Sequence, residues 1–211
     1  MTVQLQSELE SKKAFKKWCE DNHFNITREW NSHENKLENS NADFSVKTDY
    51  EYTVSLKTEG GLFTSANLGT GFKAIRKWCS DEDQINELRS VLKEVSARKN
   101  YISANYNRWE DVPNSEDKKK DMVQPLIDFY FNLFQHRRHV IDFCRYLMDR
   151  NADFLWVDGS LIHIKSYIPK DFNVTKVNSK SILIPDVAEL RFKSEGGKVS
   201  SSIKLNVQPC K

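Results

Sequence analysis

The chain has 211 residues, 29% of them charged, with 32 lysines and arginines against 30 acidic residues and a formal net charge of +2. That length can bury one sizeable core, and the balance of signs excludes a uniformly polycationic chain while leaving room for a basic face offset elsewhere. No apolar run approaches the roughly 20 residues needed to cross a bilayer, the start MTVQLQSELESKK lacks a signal-peptide core, and Cys19, Cys79, Cys144 and Cys210 have no metal-ligand spacing, so a cytoplasmic protein with reduced thiols is expected.

Residues 7–20 place Leu9, Phe15, Trp18 and Cys19 at near-helical intervals between lysines, which predicts an amphipathic helix. NSHENKLENSN has neither period and predicts a loop. From Ala42 to Lys57, β-branched and aromatic residues flank a polar centre, the pattern of strand, turn and strand. Helices follow at Phe72–Trp78 and from Ile85 through Val95, with Ser80 and Asp83 spaced as a cap between them. After the loop 105–120, a helical period runs over 122–150 with a break expected near Gln135–Arg138 and Pro125 in a first turn.

Beyond Asp153 the period switches to two. FLWV-DG-SLIHIK predicts a hairpin on an Asp-Gly turn, SILIP a short strand, and AELRFKSEGGKVSSSIKLNV a further strand pair. The expectation is a single domain over 1–211 in four segments: 1–40 helix and polar loop, 41–69 strands, 70–150 helical, 151–211 β-rich. The fold class is α/β built as α+β blocks, with a central mixed β-sheet flanked by helices.

The chemistry-bearing pattern is a strand beginning at Asp43, a turn, and a second strand ending in Ser55-Leu56-Lys57. This is the layout of magnesium-dependent nucleases of the PD-(D/E)xK type. There a carboxylate holds the metal, and a lysine two residues beyond the (D/E) position lies on the same strand face because side chains alternate. Metal and lysine together neutralise phosphate charge and acidify an attacking water. Ser55 stands at the (D/E) position, so Asp43, Asp49 and Glu51 are the expected magnesium ligands, and Asp43, Glu51, Ser55 and Lys57 the catalytic set.

A second NADF at 151–154 leads to IHIK at Lys165, which suggests either a duplicated site or two edge strands with solvated lysines. His136 and His139 have the spacing of two ligands on one helix face, but with Arg137 and Arg138 between them a basic patch or a solvated helix end is the preferred reading.

ELRFKSEGGKVSSSIKLNVQ, residues 189–208, resembles the closing segment of the HaeIII family of type II restriction endonucleases, with Arg191, Val199, Ser202 and Lys204 at matching positions. EYTVSLKTEGGLFTSANLGTGFKAIRKW, the Trp-led WEDVPNSEDKKKDMVQPLIDFYF, VIDFCRYLMDRNADFLWV and SILIP are similar to that family's other blocks in the same order, so the resemblance spans about residues 42–208. It implies a restriction-endonuclease-like fold and site-specific hydrolysis of double-stranded DNA with magnesium. It also implies that Ser before the catalytic lysine belongs to the pattern.

In this reading Arg191, Lys193, Lys198, Ser202 and Lys204 face DNA. The family's His-Asn pairs are replaced by Thr58-Glu59 and Lys193-Ser194, so its recognition sequence does not carry over. Expected partners are double-stranded DNA, a second copy if the site is palindromic, and a companion DNA methyltransferase. The alternative is a decayed nuclease fold that binds DNA or protein without turnover.

Overall fold

The computed structural model describes residues 3–30, 42–57, 62–148, 152–157, 159–178, 180–194 and 197–210, with residues 3–7, 72 and 194 described by backbone alone. It is an α+β protein, and the helices and strands fall into two compact units, Met1–Thr64 with Arg145–Ile168 and Ser65–Cys144 with Pro169–Lys211. Each unit has its own five-stranded sheet, where one central sheet was expected from the sequence.

In the first unit, helix α1 (Val3–Asp21) precedes β1 (Asn25–Glu29), β2 (Phe44–Lys47), β3 (Glu51–Lys57), β5 (Phe154–Val157) and β6 (Ser160–His163). The strand order is β1-β2-β3-β5-β6, with β3 and β5 parallel and every other pair antiparallel. The apolar stripe of α1 explains its seat on the sheet. Phe15 and Cys19 are buried against Phe44, Val46, Val54 and Trp156, with Trp18 packed alongside. Phe15 meets Phe44 and Trp156 at ring-centroid distances of 5.1 and 5.2 Å. Each such buried aromatic contributes about 1.5–3 kcal/mol through removal from water.

The α1 helix ends where the chain turns through His23, in the left-handed region at φ 60°, and the Phe24 N–H closes back onto the Cys19 carbonyl at 2.8 Å. Strand alternation sends Ser55, Leu155 and Val157 to the other sheet face, where Leu155 and Val157 cluster with Met148 and Ile164.

The second unit contains β4 (Ala66–Gly69), the short helix α2 (Phe72–Ile75), α3 (Glu82–Ser103), α4 (Ser115–Leu133), the larger part of α5 (Arg137–Met148), β7 (Thr175–Asn178), β8 (Ser181–Ile184), β9 (Ala188–Ser194) and β10 (Ile203–Pro209). Its sheet order is β4-β10-β9-β8-β7, antiparallel throughout. Tyr130 of α4 packs on Phe192 of β9 at 5.5 Å, and Phe134 packs on Phe143 at 5.1 Å.

Several local expectations shift. Asp81, rather than Ser80, caps α3: its Oδ1 accepts from the N–H groups of Asp83 (3.1 Å) and Gln84 (3.2 Å). Pro125 lies inside α4 and not in its first turn, because SEDKKKD extends the helix back to Ser115, starting from Asn114 at φ 53°. The expected break falls between Leu133 and Arg137. Strands β1, β4 and β7 are additions to the elements expected from periodicity.

Candidate active site

Asp43 stands just ahead of β2 and is bonded to both neighbouring strands. Its N–H donates to the Val54 carbonyl at 2.8 Å, its carbonyl accepts from the Trp30 N–H at 2.9 Å, and its Oδ2 accepts from the Leu56 N–H at 2.7 Å. The register explains the last bond. Phe44 pairs with Val54 as the first pair of the β2–β3 ladder, so the N–H of Leu56 extends past the ladder's end and the aspartate side chain satisfies it.

Burial raises the Asp43 carboxyl above its ordinary value, while the Leu56 N–H and the charges of Lys12 and Lys57 pull it the other way with smaller effect, and Glu8 adds to the rise. Lys57 closes β3 opposite Val157, and Ser55, 3% exposed, lies opposite Leu155. The register therefore places Asp43, Ser55 and Lys57 at one end of the β2–β3 pair.

Asp49 and Glu51 do not join them. Glu51 pairs with Lys47 at the opposite end of the ladder and accepts from the Thr27 hydroxyl at 2.7 Å. Four residues of strand, about 13 Å at 3.3 Å per residue, separate it from Ser55. Asp49 lies beyond it in the turn spanned by the Thr48 N–H to Tyr50 carbonyl bond. The expectation that these two complete a magnesium site with Asp43 is thereby corrected: a lone strand-face rule places residues on a face without saying how far along it they sit.

The groups that periodicity missed near Asp43 are on α1. Lys12 Nζ lies 3.9 Å from Glu8 and 3.5 Å from Glu29, and Lys16 Nζ lies 2.6 Å from Glu29. The signal was present, since Glu8, Lys12, Phe15 and Cys19 recur at intervals of four, three and four along the stripe that meets the sheet. Asp153, from the second NADF, also braces β3: its Oδ2 accepts from the Thr53 N–H and hydroxyl, both at 3.0 Å. Lys165 falls in a single 3₁₀ turn, Ile164–Ser166, and not at a strand end, so the second NADF does not reproduce the first site.

In the second unit, Arg191, Lys193 and Lys204 share one sheet face, because Lys204 pairs directly with Lys193 and Asn206 with Arg191. Arg191 is held by Glu189 at 2.6 Å. Lys198 lies in the loop between the strands, bridged to Arg108, and Ser202 leads directly into β10. Thr58, Glu59, Gly60 and Gly61 of the first Glu-Gly-Gly, and Glu195 and Gly196 of the second, lie outside the described residues.

His136 and His139 are not a paired surface site. His139 is buried on α5, with Nδ1 3.9 Å from Cys79 Sγ and Nε2 3.7 Å from an Asp81 carboxylate oxygen. Arg137 packs on the ring of Phe172 at 4.6 Å, and Arg138 reaches Asp142 at 3.8 Å. Among the described residues, no three His, Cys, Asp or Glu side chains group to hold a metal ion, and no helix is long and apolar enough to cross a membrane.

No family model, curated protein or solved structure matches the chain.

Proposed function

We propose that the chain is a magnesium-dependent endonuclease of restriction-endonuclease-like fold that hydrolyses phosphodiester bonds in double-stranded DNA at a short specific sequence. The observation that carries this reading is the convergence of Asp43 and Lys57 from adjacent strands, with the buried carboxylate under the influence of the lysine charge. The similarity of residues 42–208 to the HaeIII family adds support, as does a mixed sheet carrying α1 on one face.

The donor set fits magnesium at its sparest. That ion is commonly held by one or two carboxylates, with waters and substrate phosphate oxygens completing its shell. A buried carboxylate with a raised pKa is also a group whose ionised form a cation would stabilise. Asp43 would hold the ion, which when bound supplies charge neutralisation at phosphate and a more acidic water.

Lys57 would orient the attacking water and balance the negative charge growing on the oxygens around phosphorus. The water oxygen bonds to phosphorus, one bridging P–O bond breaks, and the leaving oxygen takes a proton. Leu56, through its N–H, ties the carboxylate to the strand that carries Lys57. Arg191, Lys193 and Lys204 would hold phosphates on their shared sheet face and set register, a role that carries no base specificity by itself.

Double-stranded DNA is the partner in this reading, a second copy would match a palindromic site, and a companion methyltransferase would protect the host sequence. The second reading, a DNA-binding module without turnover, is favoured by the separation of Asp49 and Glu51 from Asp43. Incubation of unmodified plasmid with the wild type in magnesium and in EDTA tests the choice. Discrete fragments in magnesium alone are expected, and a gel shift without cutting favours the second reading.

A further inference from the structure

A cleft of about 340 Å³ lies within the second unit, inside the range of roughly 300–1,000 Å³ typical of small-ligand sites. Its floor is apolar, made by the buried side chains of Trp109, Met122, Val123 and Phe192, with Lys119 Nζ 5.3 Å above the Trp109 ring. Among the described residues its rim carries Lys119 and Lys180 around the carboxylate of Glu116, while Lys193 borders it from β9 with its side chain on the sheet face opposite Phe192. Glu116 sits between two of these ammonium groups, 2.7 Å from Lys119 Nζ and 2.6 Å from Lys180 Nζ. Those lysines hold the Glu116 carboxyl down at about 2.

The geometry points to a nucleotide site: a planar ring seated on the apolar floor and a phosphate taken by the lysines, with the Glu116 carboxylate marking where an anion sits and yielding when the phosphate arrives. Three features converge on this occupant. The apolar floor suits a ring, and a bare phosphate gains nothing from it. Among the described residues two lysines meet one carboxylate there, so Lys119 and Lys180 together carry one positive charge more than Glu116 offsets. Gly197 borders the cleft, its carbonyl accepting from the Trp109 N–H at 2.8 Å and its missing side chain facing the Arg108 guanidinium, so backbone and not bulk forms that wall.

The cleft takes one nucleotide and not a duplex, because its volume is that of a single small molecule. The same chemistry could arrive as a free mononucleotide or as an unpaired nucleotide of a DNA strand. The inference does not rest on the nuclease reading.

The test is calorimetric titration of the full chain, without magnesium, with each of the four deoxynucleoside 5′-monophosphates, the matching nucleosides, inorganic phosphate and a five-nucleotide single strand. At least one monophosphate is expected to bind ten-fold or more tightly than its nucleoside or phosphate. Lys119→Ala and Lys180→Ala are each expected to weaken it about ten-fold, the scale of a charge-assisted hydrogen bond, and Glu116→Gln to strengthen it several-fold.

Tighter binding of the strand than of any monophosphate assigns the site to nucleic acid, and the reverse assigns it to free nucleotide; both support the inference. Phosphate as tight as every nucleotide, or no binding at all, overturns it. Lys57→Ala is expected to bind nucleotide as the wild type does, so loss of plasmid cleavage and loss of nucleotide binding are separate outcomes.

Discussion

Asp43 Oδ2 accepts a 2.7 Å hydrogen bond from the backbone N–H of Leu56, the residue immediately before Lys57. The bond ties the position of the carboxylate to the strand that carries the lysine. It also holds an acid in a buried place where ionisation is disfavoured.

The first expected outcome follows from that burial. The folded-state pKa of Asp43 lies above its unfolded value, so its contribution to stability is most favourable below the unfolded pKa and is lost as pH rises through the folded pKa. Asp43→Asn keeps an oxygen to accept from Leu56 and removes the charge. Its thermal midpoint at pH 7 is expected to rise, on a scale of roughly 2–4 °C per kcal/mol for a chain of this size. The gain should shrink as pH falls through the carboxylate range, and a midpoint below the wild type at pH 7 would contradict this account of the residue.

The second concerns His139. Burial lowers its pKa first of all, His136 and Arg138 add to the lowering, and the carboxylates of Asp81 and Asp142 oppose it, with Cys79 beside the ring. The neutral ring is favoured in the folded protein, so stability is present above about pH 6.5 and is lost as pH falls through the folded pKa. Urea midpoints from pH 7.5 to 5 should decline more steeply in the wild type than in His139→Gln; parallel curves would remove the assignment.

Thiol chemistry gives a third. Cys19, Cys79 and Cys144 are buried, and burial pushes the first up to about 11 and the last to about 12; Cys210 is exposed, though partial burial and the charges of Asp186 and Glu189 raise its thiol too. A disulfide reagent at pH 8 should titrate one thiol promptly in the native protein and all four after denaturation. Prompt reaction of two or more native thiols is the outcome that would contradict this packing.

The sheet face bearing Lys193 and Lys204 supplies a fourth. If these lysines contact phosphates, the slope of log affinity for duplex DNA against log salt should fall by about one for each alanine substitution. Binding should weaken alike on all sequences. An unchanged slope in Lys193→Ala/Lys204→Ala would remove this face from the interface.

Much of this arrangement was legible in the residues. The apolar spacing of Phe15, Trp18 and Cys19 gave α1 and its buried face, and the alternation through Ala42–Lys57 gave β2 and β3. What periodicity lacked was distance along a strand and pairing between remote segments. Glu51 shares a parity with Ser55 yet sits at the far end of the ladder, and Asp153 braces Thr53 across a hundred residues of sequence. Strands β1, β4 and β7 are short and largely exposed, so they carry little hydrophobic alternation to be read.

The most direct measurement of the central claim, that Asp43 and Lys57 act as one site, is a double-mutant cycle on plasmid cleavage in magnesium. The wild type, Asp43→Asn, Lys57→Ala and the pair would be compared, with folding of each checked by its thermal midpoint. Each single variant is expected to lose a thousand-fold or more, and the double variant little beyond that, because groups acting as a unit are strongly non-additive. Near-wild-type cleavage by either folded single variant, or none by the wild type in magnesium, would contradict it.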